Sequence, residues 1–151
     1  MFFNKQVMLF DEDIKTSTEI ITALADELKK KKIVKEEFLN HTLDREKNFP
    51  TGLATTSLGV AIPHTDSEFV NESQIAFATL KTPVNFKSMV DLNKNVPVTL
   101  VFMIAMASPH EQAGLLSKLM DLFQDSSELE KLKICHTKNE VTTILNKHGI
   151  I

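Results

Sequence analysis

The chain of 151 residues has no tryptophan, no tyrosine and one cysteine. The missing fluorophores leave intrinsic fluorescence with little to report. A lone Cys135 excludes an internal disulfide and fits a reducing compartment. Beside Ile134, it reads as a small buried hydrophobe rather than a nucleophile. Arginine is nearly absent as well: of 17 basic residues, one is Arg45 and the other 16 are lysines. The net charge of −3, with no long basic tract, points away from nucleic acid. The longest apolar run, Val98 to Ala107 with Thr99 inside it, has about half the ~20 residues a membrane helix needs, so no membrane insertion is expected. Met1 to Asp13 carries Asp11, Glu12 and Asp13 and lacks the basic and apolar regions of a signal peptide. The expected location is the cytoplasm. Four glycines and five prolines stand singly, with no linker or repeat, as suits a single domain over 1–151. GxGxxG, GxxxxGK[ST], GxSxG, HExxH and paired CxxC patterns are all missing. Nucleotide, cofactor and metal sites therefore have no support.

What is present is an alternation of strand and helix signals. Val7 to Phe10 is a short strand candidate. Thr16 to Glu19 forms a capping-box pattern, followed by Ile20, Ile21, Leu24 and Leu28 on one helical face. Lys29 to Lys32 closes that helix, complementing the negative end of its dipole. A second helix is predicted over Lys35 to Glu46, burying Phe38, Leu39 and Leu43. Asn48 to Gly52 reads as a loop, and residues 53–58 lead into a strand over Gly59 to Ile62. Further strands are predicted over Gln74 to Leu80, Val84 to Phe86 and Val96 to Ala105. The continuous apolarity of the last marks a central strand covered on both faces. Helices follow from Pro109 to about Gln124, from Glu128 to Ile134 and from Glu140 to Lys147, with Gly149 in the capping position beyond. The expected fold is α/β: a single mixed sheet of about five strands flanked by helices on both faces.

Two Pro-His pairs follow apolar strands, Ile62-Pro63-His64 and Ser108-Pro109-His110. Imidazole is a nucleophile near neutral pH, and a rigid proline at a strand end presents it outward. Ligands of open α/β sheets gather beyond the carboxyl ends of strands, so the two histidines converge if both strands end on one edge. His110 would sit in the first turn of a helix, where the dipole favours an approaching phosphate. Arg45 offers planar, bidentate contact to phosphate or carboxylate, or serves as a solvated helix-end charge. From the residues alone, His64 is either structural or catalytic.

The stretch Arg45-Glu-Lys-Asn-Phe-Pro-Thr-Gly-Leu-Ala-Thr-Thr-Ser-Leu-Gly-Val-Ala-Ile-Pro-His64 resembles the active-site region of the enzyme IIA components of the phosphoenolpyruvate-dependent sugar phosphotransferase system, fructose/mannitol class. Thr65 to Val70, Val101 to Ala105, Pro109-His110-Glu111 and Leu115 to Asp125 are similar to its galactitol-type branch. The resemblance covers essentially the whole chain and implies a free-standing subunit. It implies that His64 accepts a phosphoryl group from the phosphocarrier protein HPr on its Nε2, making a tele-phosphohistidine. The group then passes to a cysteine of the IIB component, for uptake of galactitol or a related sugar. His110 matches the second active-site histidine and Arg45 the arginine that helps form the site. The interval of 19 positions from Arg45 to His64 is slightly longer than in mannitol-specific members. Association with the membrane component IIC would be transient and through IIB. An alternative within the family is a regulatory protein that signals its phosphorylation state by binding a target, and a non-catalytic binding module is the third reading.

Around His64, the Asp66 carboxylate is expected to cap a helix starting near Ser67. Thr51, Thr55, Thr56 and Ser57 offer hydroxyls near the site, and the Thr65 and Asp66 amides further donors. Leu58 and Phe69 are candidates either for partner contact or for the core. His41, His136 and His148 are expected on the surface.

Overall fold

The computed structural model describes residues 2–150, without the side chain of Gln112. One five-stranded mixed sheet runs in the order β1-β4-β5-β3-β2, from β1 (Met8–Glu12), β2 (Gly52–Ala54), β3 (Gly59–Ala61), β4 (Gln74–Lys87) and β5 (Asn95–Ala105). β1 is parallel to β4 and β3 to β5, while β4 with β5 and β2 with β3 are antiparallel. The helices are α1 (Ser17–Lys30), α2 (Phe38–Asn48), α3 (Pro109–Phe123), α4 (Ser126–Lys133) and α5 (Lys138–Lys147).

The apolar run of β5 serves two cores because successive strand side chains point to opposite faces. Leu100, Phe102 and Ile104 join Leu115, Leu119 and Leu122 of α3, Leu129 and Leu132 of α4, and Val141 and Leu145 of α5. Val101, Met103 and Ala105 join Ile20, Ile21, Leu24 and Leu28 of α1 and Phe38 of α2 on the other face. Helices on both faces of a mixed five-stranded sheet are the expected fold.

Helix α1 starts where predicted: the Thr16 side chain accepts from the Glu19 amide at 3.2 Å and donates to its carboxylate at 3.0 Å. Helix α2 begins three residues later than predicted. Val34 bridges Val70, and the Lys35 amide donates to Phe69 O at 2.9 Å, so the chain is still extended there. Leu39 and Leu43 are partly rather than fully buried. The segments read as separate strands at Gln74 to Leu80 and Val84 to Phe86 are one strand, β4. Four residues, 80–83, separate the pairs Thr79↔Leu100 and Val84↔Val98, where β5 has Thr99 alone, and the irregularity around Pro83 absorbs the excess. β2 falls within what the sequence analysis reads as loop and lead-in. It pairs with β3 through Gly52↔Ala61 and Ala54↔Gly59. Gly59 permits close packing: a Cβ there would sit 2.0 Å from Pro97 O. Gly149, at φ +73°, ends the chain's last helix as predicted. None of the helices among the described residues is long and apolar enough to cross a membrane.

Candidate functional site

β3 and β5 are parallel, so both Pro-His segments leave the same edge of the sheet. That settles the condition on which convergence depended. Beyond Ala61 the chain continues against β5: Ile104 N–H donates to Pro63 O at 3.0 Å, and His64 bridges Ile104. His64 is thereby held by backbone pairing at the strand end.

Its ring is oriented by a single short contact, Nδ1 to Ile62 O at 2.8 Å. A carbonyl can only accept, so Nδ1 carries the hydrogen and Nε2 keeps its lone pair. Burial holds the His64 pKa below 6.5; the Ile62 carbonyl opposes this, the Arg45 charge adds to it and Asp66 opposes it. The outcome is a neutral imidazole at neutral pH, the nucleophilic form.

His64 opens into a cavity of about 350 Å³ with Arg45, Thr65, Asp66, Ser67, Glu68 and Pro109 on its walls. Arg45 comes from the last turn of α2, where a cation meets the negative end of the dipole. Its side chain is 41% exposed, its guanidinium lies 3.9 Å from Asp66 Oδ1, and it sits 5.5 Å from the ring centroid of the exposed Phe49. α2 and the segment leading into it are fastened to the loop after His64. Lys35 Nζ donates to Glu68 O at 2.8 Å, and His41 stacks on Phe69 at 4.0 Å. Phe69 thus packs on α2 and the adjoining core, and Leu58 packs on the opposite core, the alternatives to partner contact left open above.

His110 is exposed on the second residue of α3. Pro109 before it lines the cavity; His110 itself is not among the wall residues. The cap of α3, Ser108, makes no side-chain cap bond.

Two expectations change. Asp66 stands at the N-terminus of a short 3₁₀ turn, Ser67–Phe69, but makes no side-chain cap bond there; its carboxylate lies toward Arg45 instead. Three of the four loop hydroxyls are committed elsewhere. Thr55 donates to Leu58 O at 2.6 Å, Thr56 pairs with Ser126, and Thr51 donates to Glu46 Oε1 at 2.7 Å. None of Thr51, Thr55, Thr56 or Ser57 lines the cavity. Of the remaining histidines, His41 and His136 are exposed, while His148 is mostly enclosed, 3.6 Å from Glu128.

Cys135 is buried, its thiol pKa raised chiefly by burial, as befits a core residue. Among the described residues, Asp125, Glu128 and His148 gather ligand-type atoms within 4.8 Å of one another. Lys131 and Lys147, at 3.4 and 3.2 Å from Glu128, already supply positive charge to that group, which disfavours a cation.

Sequence reasoning missed Glu46. Phe38 and Thr42 are the buried residues of α2, and Glu46 continues that stripe at the same spacing of four. A carboxylate on an otherwise buried stripe was the available signal.

The family model described as "Phosphoenolpyruvate-dependent sugar phosphotransferase system, EIIA 2" matches residues 1–148. The chain is 34% identical over 110 residues to the transcriptional regulator ManR of Bacillus subtilis, which covers 73% of this chain but only 15% of that protein. It is 29% identical over 115 residues to the galactitol-specific EIIA component of Escherichia coli K12, covering 76% of each. Its fold matches the solved complex of enzyme IIA Mtl with phosphorylated enzyme IIB Mtl from Escherichia coli, with a TM-score of 0.75 and 25% identity, over 93% of this chain and 94% of that one.

Proposed function

Since the chain belongs to the EIIA 2 family of the phosphoenolpyruvate-dependent sugar phosphotransferase system, we propose that it is a phosphoryl carrier whose acceptor is Nε2 of His64. The observation that carries this reading is the 2.8 Å bond from Nδ1 to the Ile62 carbonyl, which dedicates one ring nitrogen to orientation and leaves the other as nucleophile. The Nε2 lone pair attacks phosphorus of the donor, phospho-HPr, as the bond to the donor's leaving atom breaks. In the second transfer a cysteine thiolate of a IIB component attacks phosphorus and the P–Nε2 bond breaks, returning its electron pair to His64. Both displacements demand in-line positioning and stabilisation of spread negative charge. Arg45 on the cavity wall supplies a fixed positive charge and two donors, and the Thr65 and Asp66 amides further donors. His110, next in sequence to Pro109 of the cavity wall, is assigned the role of donor to a phosphoryl oxygen in the partner-bound state. The Arg45–Asp66 pair, at 3.9 Å, is loose enough for the guanidinium to turn to the phosphoryl group.

HPr and IIB are thus the partners, with any approach to membrane IIC made through IIB. The chain works as one EIIA type-2 domain in the cytoplasm, with no cofactor. The carried sugar is galactitol or a related one, a reading supported by the galactitol-specific relative. Incubation with phosphoenolpyruvate, enzyme I and HPr should give one acid-labile phosphohistidine signal in phosphorus NMR, absent in His64→Ala. A wild-type protein that takes up no phosphoryl group would overturn the reading.

The likeness to ManR favours a second reading, a regulatory protein that signals its phosphorylation state by binding a target. The two part at the next step: a carrier passes the group to a IIB cysteine, whereas a regulator retains it until its target is bound.

A further inference from the structure

Arg45 and Glu46 are neighbours on α2, yet they serve different sides of the helix. Arg45 faces the His64 cavity. Glu46 is half-buried and borders a separate space of about 450 Å³ with Ser17, Ile21, Leu43 and Lys87. Both its oxygens are engaged by one residue. Oε2 accepts from the Thr51 amide and Oε1 from the Thr51 hydroxyl, each at 2.7 Å. The Thr51 hydroxyl, having given its hydrogen to Glu46, accepts from the Ile62 amide at 3.3 Å. Ile62 in turn offers the carbonyl that takes the hydrogen of His64 Nδ1. Four residues from α2, the loop before β2 and the end of β3 are thus joined in one directional chain.

We propose that Glu46 and Thr51 are positioning residues for His64: the carboxylate orients the Thr51 hydroxyl, the hydroxyl pins Ile62, and the pinned Ile62 carbonyl selects the Nδ1–H tautomer that leaves Nε2 nucleophilic. A hydroxyl that donates to the Glu46 carboxylate presents its lone pair to Ile62 N–H, and since that N–H only donates and the Ile62 carbonyl only accepts, Glu46 and Thr51 act on His64 by fixing where Ile62 lies. Burial pushes the Glu46 carboxyl up to about 6 against the opposing Thr51 bonds, so it remains ionised at neutral pH. Acceptors that fix the tautomer of a reacting imidazole are a general device, and their loss costs about 10-fold or more in activity. The Coulombic reach of Arg45 and the orientation by Glu46 then come from two consecutive residues of one helix.

The proposal rests on His64 as the phosphoryl acceptor, and a readout without phosphate separates the two. In protein labelled with ¹⁵N at histidine, long-range correlations at pH 7.5 report the tautomer ratio of unphosphorylated His64. Thr51→Val should shift that ratio about fivefold toward Nε2–H, the worth of one hydrogen bond. It should slow phosphoryl uptake from phospho-HPr about tenfold. Thr51→Ser, which keeps the hydroxyl, should restore both. Glu46→Gln, of unchanged shape and able to accept at a single oxygen, should shift the ratio in the same sense and provides the test if Thr51→Val does not fold. An unchanged tautomer ratio in Thr51→Val or Glu46→Gln overturns the relay, even where uptake slows. A wild type that takes up no phosphoryl group while its variants shift the tautomer sinks the carrier reading and leaves the relay standing.

Discussion

At the scale of single residues, two titrating groups lie under the site with opposite pH behaviour. The folded pKa of His64 is held below 6.5, so the fold prefers it neutral and loses that preference's stabilisation as the pH falls below 6.5. An NMR titration should place its midpoint below 6.5. Glu46 goes the other way. Its folded value of about 6 exceeds the ordinary 4.5, so between those values the folded state binds more protons and gains stability as the pH falls. A shift of this size corresponds to at most about 2 kcal/mol. Asp44, Lys47 and Lys87 are the charged groups that share the Glu46 cavity. Comparing chemical denaturation of the wild type with Glu46→Gln from pH 7 to 4.5, with the His64 midpoint of each protein read by NMR and its contribution subtracted, isolates the effect. The wild type should gain up to about 2 kcal/mol relative to the variant. His110 is exposed, so His110→Ala should leave the melting temperature unchanged. Loss of one donor to a charged group should slow phosphoryl uptake by about tenfold, or roughly 1.5 kcal/mol.

The elements place these groups. β3 is only three residues long, and its position depends on Gly59 lying flat against the Pro97 carbonyl. A Cβ at 2.0 Å cannot be accommodated without moving β3 away from β5, and His64 rides on the end of β3. Gly59→Ala should therefore lower unfolding free energy by about 3 kcal/mol in urea titration, the upper range for overpacking, and weaken phosphoryl uptake as well. Neither the flatness of β3 nor the existence of β2 was legible beforehand. Gly52-Leu53-Ala54 lacks the β-branched residues that mark Gly59-Val60-Ala61-Ile62, and Gly52 looks like a loop glycine until Ala61 is seen opposite it. The helices were readable because their evidence is local. Thr16 caps at its own helix end, and Ile20, Ile21, Leu24 and Leu28 repeat within a few turns. Where a tertiary contact overrode a local pattern, the boundary moved: the Lys35 amide is taken by Phe69 O, and α2 starts late.

For the molecule as a whole, β5 is the shared wall between two cores, and Phe102 lies at the middle of one of them. It packs against Phe77 at 5.0 Å and Phe123 at 5.5 Å, linking β4, β5 and α3. Phe102→Leu should cost about 1–2 kcal/mol, and Phe102→Ala about 3–5 kcal/mol, in unfolding by denaturant. The sequence by itself determined the α/β class, the two-sided burial of β5 and most helices, and it offered Arg45, His64 and His110 as candidate site residues through resemblance more than through periodicity. Tertiary structure alone decided that β3 runs parallel to β5, that Arg45 turns to His64 while Glu46 turns away, and that Asp66 approaches Arg45 instead of capping its own turn. The reason is physical. Side-chain periodicity and caps are properties of neighbours a few residues apart, whereas strand order and the meeting of residues 45, 46, 51, 62 and 64 arise from which distant surfaces bury one another, and no local pattern records that choice.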